Sequence, residues 1–428
     1  MRSDVETSWR RTSFADLLES GVLEINDGYR AKNSELGSAG LPFARARNVR
    51  DGFDFTQADF LMPNSVTRAG LKVSQVHDVV FTSKGTVGRF ALVNERTPSF
   101  VYSPQLSFWR VLDADALDPA FLYFWMQGPE CRRQFAALKG QTDMADYISL
   151  RDQRTLKITM PGIQSQRRIA SILAALDDKI DSNRRLAKLL EETARTEFRR
   201  RFGGRLEGAG ELGSHVDVVR GRSYKSSELG ASERALVTLK SIRRGGGYSP
   251  DGLKAYSGDF KSEQVVAPGE LVVAHTDLTQ KAEVIAKPAI VPNPAGYSAL
   301  IASLDLAIVR PRTDTLSVPF LYFLLMESAF QQHAYGFANG STVLHLDKQA
   351  IPSFPFEMPD RESLVTFNEL VVPMFALGTG LESDTQPLAA LRDALLPKLI
   401  SGQIRVPDTT DPEEVVGPAA EELAEAAK

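Results

Sequence analysis

Cysteine is almost absent from the 428 residues: Cys131 stands alone, so no disulfide can close within the chain. That usage fits a reducing cytoplasm. No uninterrupted run of about 18 apolar residues occurs, which predicts no membrane span. The first residues, Met-Arg-Ser-Asp-Val-Glu-Thr, carry no apolar stretch and predict no secretory signal. Five scattered histidines (His77, His215, His275, His333, His345) and one cysteine give no zinc-ligand spacing. Methyltransferase chemistry lacks its signs. No Asn-Pro-Pro-aromatic tetrapeptide is present, Asn293-Pro294-Ala295-Gly296 lacks the second proline, and no glycine-rich loop follows a strand to cradle a nucleoside. The run Thr82-Ser83-Lys84-Gly85-Thr86-Val87-Gly88-Arg89 fails the phosphate-loop pattern and reads as a hairpin turn.

An excess of positive charge is also missing. The formal net charge is −4. Seven of the acidic residues crowd between Asp408 and Lys428, against one lysine, leaving 47 acidic and 49 basic residues elsewhere, a net of +2. Contact with a polyanion must therefore be local or shared with a partner. The tail itself, rich in Pro, Ala and Glu and free of aromatics, reads as a disordered solubilising appendage.

What the chain does contain is itself, twice. Lys32-Asn33-Ser34-Glu35-Leu36-Gly37 matches Lys225-Ser226-Ser227-Glu228-Leu229-Gly230 at an offset of 193, and Phe43, Arg50 and Gly52 meet Leu236, Arg243 and Gly245. Asp78-Val79-Val80-Phe81-Thr82 faces Glu270-Leu271-Val272-Val273-Ala274 at offset 192. Phe121-Leu122-Tyr123-Phe124 recurs as Phe320-Leu321-Tyr322-Phe323 at offset 199, and Met160-Pro161 as Met358-Pro359 at offset 198. Several blocks in one order with drifting offsets mean one unit of about 200 residues used twice.

Each unit opens with an irregular α+β region whose β-rich runs (Val79–Phe81, Phe90–Val93, Leu271–Ala274, Ala307–Val309) are separated by Gly and Pro turns. A long helix follows. Ile169, Leu173, Leu176, Ile180, Asn183, Ala187, Leu190 and Ala194 alternate steps of four and three, a heptad seam that asks for a helical partner. Arg199-Arg200-Arg201-Phe202-Gly203-Gly204 supplies a basic last turn and a glycine stop. At offset 201 the ladder returns as Leu370, Met374, Leu377, Leu381, Asp384, Leu388, Leu391 and Leu395, with Asp360 placed to cap the start. Pro373, Gly378, Gly380 and Pro387 predict a kink or break in this second helix. Two seams in one chain most simply pair with each other, and a globular region before each makes the pair antiparallel. The expected order is a first α+β domain over 1–160, a helix over 161–203, a second domain over 204–358, a helix over 359–403, and the acidic tail over 404–428.

Polar residues fall in matched places that suit contact with DNA phosphates or base edges. Arg45, Arg47 and Arg50 correspond to Lys240, Arg243 and Arg244. The turn exposes Lys84 and Arg89. Lys139 and Gln141 correspond to Asn339 and Ser341, and Thr276 and Lys281 occupy the second unit's counterpart of the turn. A solvated charged face is the competing reading for each of them. One nuclease-like pattern, Asp251 with Asp259-Phe260-Lys261, lies in a turn-rich segment rather than at strand ends, where paired carboxylates would converge on Mg²⁺.

These segments together resemble the specificity subunits of type I restriction–modification systems over about residues 15–406. The likeness rests on the paired Lys-x-Ser-Glu-Leu-Gly motif, on Val80–Val93 and Leu271–Pro292, on Pro161–Lys188 with Gln166-Arg167-Arg168-Ile169, and on Leu391–Gly402. The resemblance implies two target-recognition domains, each reading one half of a split double-stranded DNA site, in a subunit with no catalytic site and no cofactor. It implies that the helices act as a spacer and dock two modification subunits, which methylate adenine with S-adenosylmethionine. Restriction subunits then add ATP-driven translocation and Mg²⁺-dependent cleavage. A stand-alone DNA-binding protein and a nuclease built on Asp251, Asp259 and Lys261 stay open as alternatives.

Overall fold

The computed structural model describes residues 9–50, 52–138, 146–204, 206, 208–279, 281–293 and 296–406. It divides into two units, one of residues 1–180 with 387–428 and one of residues 181–386, so each long helix contributes part of its length to each unit. The fold is α+β.

The first unit centres on a four-stranded antiparallel sheet in the order Leu23–Asp27, Leu106–Val111, Val79–Thr82, Phe90–Leu92. The second repeats it as Val216–Arg220, Leu306–Pro311, Leu271–Ala274, Pro288–Ile290. Registers correspond: Trp109 lies between Ile25 and Val79, and Val309 between Val218 and Leu271. The repeated aromatic tetrapeptides sit in the helices Pro119–Gln127 and Val318–Met326, capped by Asp118 and Ser317. Phe121, Leu122 and Phe124, like Phe320, Leu321 and Phe323, are buried in the core of their unit. Their recurrence is a packing requirement.

The Lys-x-Ser-Glu-Leu-Gly repeat is structural as well. In each copy the glutamate folds back over a single 3₁₀ turn, Glu35 accepting from the Lys32 N–H (2.8 Å) and Glu228 from the Lys225 N–H (2.6 Å). The Lys32 N–H, foremost among several contacts, holds the Glu35 carboxyl below its ordinary range.

Both long helices are forty residues, Ile163–Phe202 and Arg361–Ile400, about 60 Å each at 1.5 Å per residue. The first bears out its ladder: Ile169, Leu173, Leu176, Ile180, Asn183 and Ala194 are buried. In the first unit Ile169, Leu173 and Leu176 share a core with Leu391, Leu395 and Leu399, and Asp177 meets Arg392 at 2.8 Å. In the second unit Ala187 faces Gly378, and Phe198 packs on Phe367, eleven residues later on one helix and eleven earlier on the other. The pairing is antiparallel.

Two expectations for the second helix fail. It does not break: the hydrogen-bonded helix runs through Pro373, Gly378, Gly380 and Pro387. Both prolines lie on the exposed side, where a carbonyl deprived of its N–H is open to solvent. The seam is also displaced by one position over part of its length. Val371 and Thr385 are buried, whereas Leu370 and Leu377 are exposed and Asp384 is too, so buried Asn183 has no matching carboxylate rung. Apolar spacing favoured Leu370 and Leu377, but the close approach uses the small Gly378. This helix is long and apolar enough to cross a membrane by length and composition. Part of that apolar content is the seam, Leu364, Phe367 and Val371 packing in the second unit and Leu391, Leu395 and Leu399 in the first, while Val365, Leu370, Val372 and Leu377 stay exposed. Ile404 and Val406 also pack on the first unit's core, so the tail read from 404 starts later; from 407 it lies outside the described residues.

Candidate nucleic-acid interface

In the first unit the strands Val79–Thr82 and Phe90–Leu92 form the expected hairpin. Its turn is left-handed at Gly85 (φ 82°) and Gly88 (φ 100°), which places glycine where a side chain would be strained. Arg89, exposed, reaches out of this turn and donates to the carbonyls of Ala46 (3.2 Å) and Val49 (3.5 Å). The turn and the Arg45–Arg50 segment are thereby one surface. Arg50 and Lys84 are exposed on it. Arg45 is half-buried, pairs with Asp59 at 2.9 Å and lies over the Phe43 ring, and Arg47 reaches Asp59 at 3.5 Å and the Gln57 carbonyl at 3.0 Å. A third segment joins through the Gly85 N–H on the Asp146 carbonyl (3.0 Å) and the Ile148 N–H on the Ser83 carbonyl (2.9 Å). Lys139 and Gln141 lie outside the described residues.

The second unit builds its counterpart differently. Asp277, buried, accepts from the N–H groups of Thr279 (2.6 Å), Val284 (2.7 Å) and Ile285 (2.7 Å), tying down the loop that carries Lys281. Burial alone would raise its pKa, but these bonds outweigh it and hold the carboxyl below its ordinary range. The Gly245 N–H donates to the Glu283 carbonyl (3.1 Å), joining this loop to the Lys240–Arg244 segment. Lys240 and Lys281 are exposed; Arg244 pairs with Glu283 at 3.4 Å, and Arg243 with Glu382 of the second long helix at 3.8 Å. Asn339 and Ser341 are exposed at the tip of the hairpin Ala338–Asn339 and Leu344–Leu346. Thr276 is a correction: only 5% exposed, in the two-residue strand against Leu344–Leu346, it has no reach to a ligand.

The structure thus gathers Arg45, Arg47, Arg50, Lys84 and Arg89 on one surface and Lys240, Arg243, Arg244 and Lys281 on another, and separates those tied into ion pairs from Arg50, Lys84, Lys240 and Lys281. Asp251 and Asp259 both sit exposed in turn-rich stretches, and among the described residues no three His, Cys, Asp or Glu gather to hold a metal. Tyr147 and His345, not singled out from the sequence, stand at equivalent places beside Lys84 and Thr276. The signal existed: the offset of 198 that aligns Met160-Pro161 with Met358-Pro359 also aligns Tyr147 with His345.

The chain is a duplicated α+β unit, each copy carrying a polar loop surface and followed by a long helix. Residues 20–192 match the type I restriction modification DNA specificity domain. The chain is 20% identical over 370 residues to the type I restriction enzyme MjaIX specificity subunit of Methanocaldococcus jannaschii, covering 80% of this chain and 81% of that one. Its fold is similar to that of the type I restriction–modification system S subunit from M. genitalium, with a TM-score of 0.62 and 14% identity across 96% of this chain and 99% of the other. The chain is thus similar, in sequence and in fold, to the specificity subunits of type I restriction–modification systems.

Proposed function

We propose that the chain reads a bipartite double-stranded DNA target, one half-site by each unit, and presents its paired helices to modification subunits. The observation that carries this is the duplication: the same sheet, in the same register, supports an exposed basic loop surface twice. Phosphate contacts from the exposed cations position the duplex, and polar side chains on the loops specify it.

Docking has its own support. Leu186 and Leu189 on the first helix, with Val365, Leu370, Val372 and Leu377 on the second, are large apolar residues left exposed in the second unit. Exposed apolar side chains on adjacent helices suit the apolar face of a partner helix. The partners bring S-adenosylmethionine for adenine methylation; restriction subunits bring ATP and Mg²⁺. The assembly works in the cytoplasm.

Co-expression with its modification subunits followed by mapping of methylated adenine tests the proposal. The expected motif has two specified blocks around an unspecified gap. A single continuous block overturns it.

A further inference from the structure

Tyr147 and His345 are equivalent by hydrogen bonding as well as by offset. In the first unit Tyr147 bridges Lys84, and its neighbour Ile148 donates to the Ser83 carbonyl at 2.9 Å. In the second unit His345 pairs with Thr276, and its neighbour Leu346 donates to the His275 carbonyl at 2.8 Å. Ile148 and Leu346 are both buried, in the cores of their respective units. Successive side chains of an extended segment point to opposite sides. An inward Ile148 therefore drives Tyr147 outward, and an inward Leu346 does the same to His345.

The outcome is an aromatic ring held in the open on both surfaces. Tyr147 is 46% exposed, with the Lys84 ammonium 6.0 Å from its centroid. His345 is exposed and directly opposite exposed Asn339 across the hairpin. Backbone pairing fixes each ring's position at little conformational cost. The two rings offer different chemistry from one place: a phenol with a flat apolar face and one hydroxyl, against an imidazole with a donor and an acceptor nitrogen. Major-groove edges differ in the same vocabulary, with thymine presenting a methyl and purines presenting ring-nitrogen acceptors.

We infer that Tyr147 and His345 are specificity-determining residues, each reading base edges in the half-site of its own unit. The inference rests on the two-unit reading above and adds which side chains discriminate.

The test uses the complex assembled with its modification subunits, measured for binding to the native site and to every single-base variant of it. Tyr147→Ala relaxes discrimination about tenfold at one or two adjacent base pairs of one half-site, and His345→Ala does so in the other half-site only. If either alanine variant does not assemble, Tyr147→Leu and His345→Gln keep the bulk over the turn and give the same readout. Unchanged discrimination, or an affinity loss uniform across all sequences, overturns the assignment and leaves the two-unit reading standing. Relaxation of both half-sites by one substitution overturns the two-unit reading itself.

Discussion

The two units hold one sheet by different electrostatic means. In the first, Asp78 is fully buried and receives two bonds from Arg110 (both 2.7 Å) and one from the Tyr102 hydroxyl (2.7 Å), all within the core. In the second, the corresponding pair is Glu270 and Arg310, part-exposed, and Ala302 stands where Tyr102 does. The next contrast is one position beyond each central strand: Ser83 in the first unit, His275 in the second. His275 is buried, and its Nδ1 meets no hydrogen-bond partner among the described residues. The strand order and register are common to both, while the side chains differ both within the core, at Tyr102 and Ala302, and just past the strand ends, where the loops begin. A fold that keeps its sheet and varies its loops can change target without changing scaffold.

The largest expected effect breaks the comparison at its buried network. Asp78→Ala leaves Arg110 uncompensated in the core and destabilises the first unit by about 3–5 kcal/mol. Glu270→Ala strips a pair that water already reaches and costs the second unit about 1–2 kcal/mol. Protection of Val79–Thr82 and Leu271–Ala274 amides against hydrogen exchange measures the two; equal losses would erase the distinction.

A pH dependence confined to one unit comes next. Burial first, and Arg220 second, push the His275 imidazole down from 6.5 to about 4. Its folded-state pKa is depressed, so the unfolded chain binds the proton first. The contribution is whole above pH 6.5 and is lost as pH falls toward 4, by roughly 3 kcal/mol at most. Protection in the second unit should drop between pH 7 and 5, and His275→Ser should flatten that drop toward the behaviour of the first unit. A wild-type drop unchanged in His275→Ser would contradict this.

Salt dependence sharpens the comparison within each surface. Arg50, Lys240 and Lys281 are exposed and carry no ion pair among the described residues. Replacing all three by alanine in the assembled complex should reduce the slope of log affinity against log salt by up to about 2.7, at about 0.9 for each phosphate contact. Replacing Arg45 and Arg47, whose charge Asp59 already offsets, should reduce it by less than about 0.9. A larger change from the paired set would reverse the assignment.

Much of this was legible in the sequence because repetition supplied an internal check. The strands Val79–Thr82 and Leu271–Ala274, the long helices and the Asp360 cap, which accepts from the Ser363 N–H at 2.8 Å, follow from local pattern. The displaced seam did not, because Gly378 contributes by absence of bulk and spacing rules count apolar side chains. Thr276 misled for a related reason: it aligns with exposed Lys84, but the Asp277-anchored loop and its strand pairing bury it. Arg45, Arg47, Arg243 and Arg244 were found as cations, while their carboxylate partners, as far away in sequence as Glu382, emerge only in the folded chain.

The central claim is that each unit reads its own half of the target. Exchanging residues 15–158 for the equivalent region of another specificity subunit, and mapping methylated adenines made by the assembled complex, tests it most directly. One half of the motif should change and the other stay as it was; a change in both halves, or in neither, would contradict the claim.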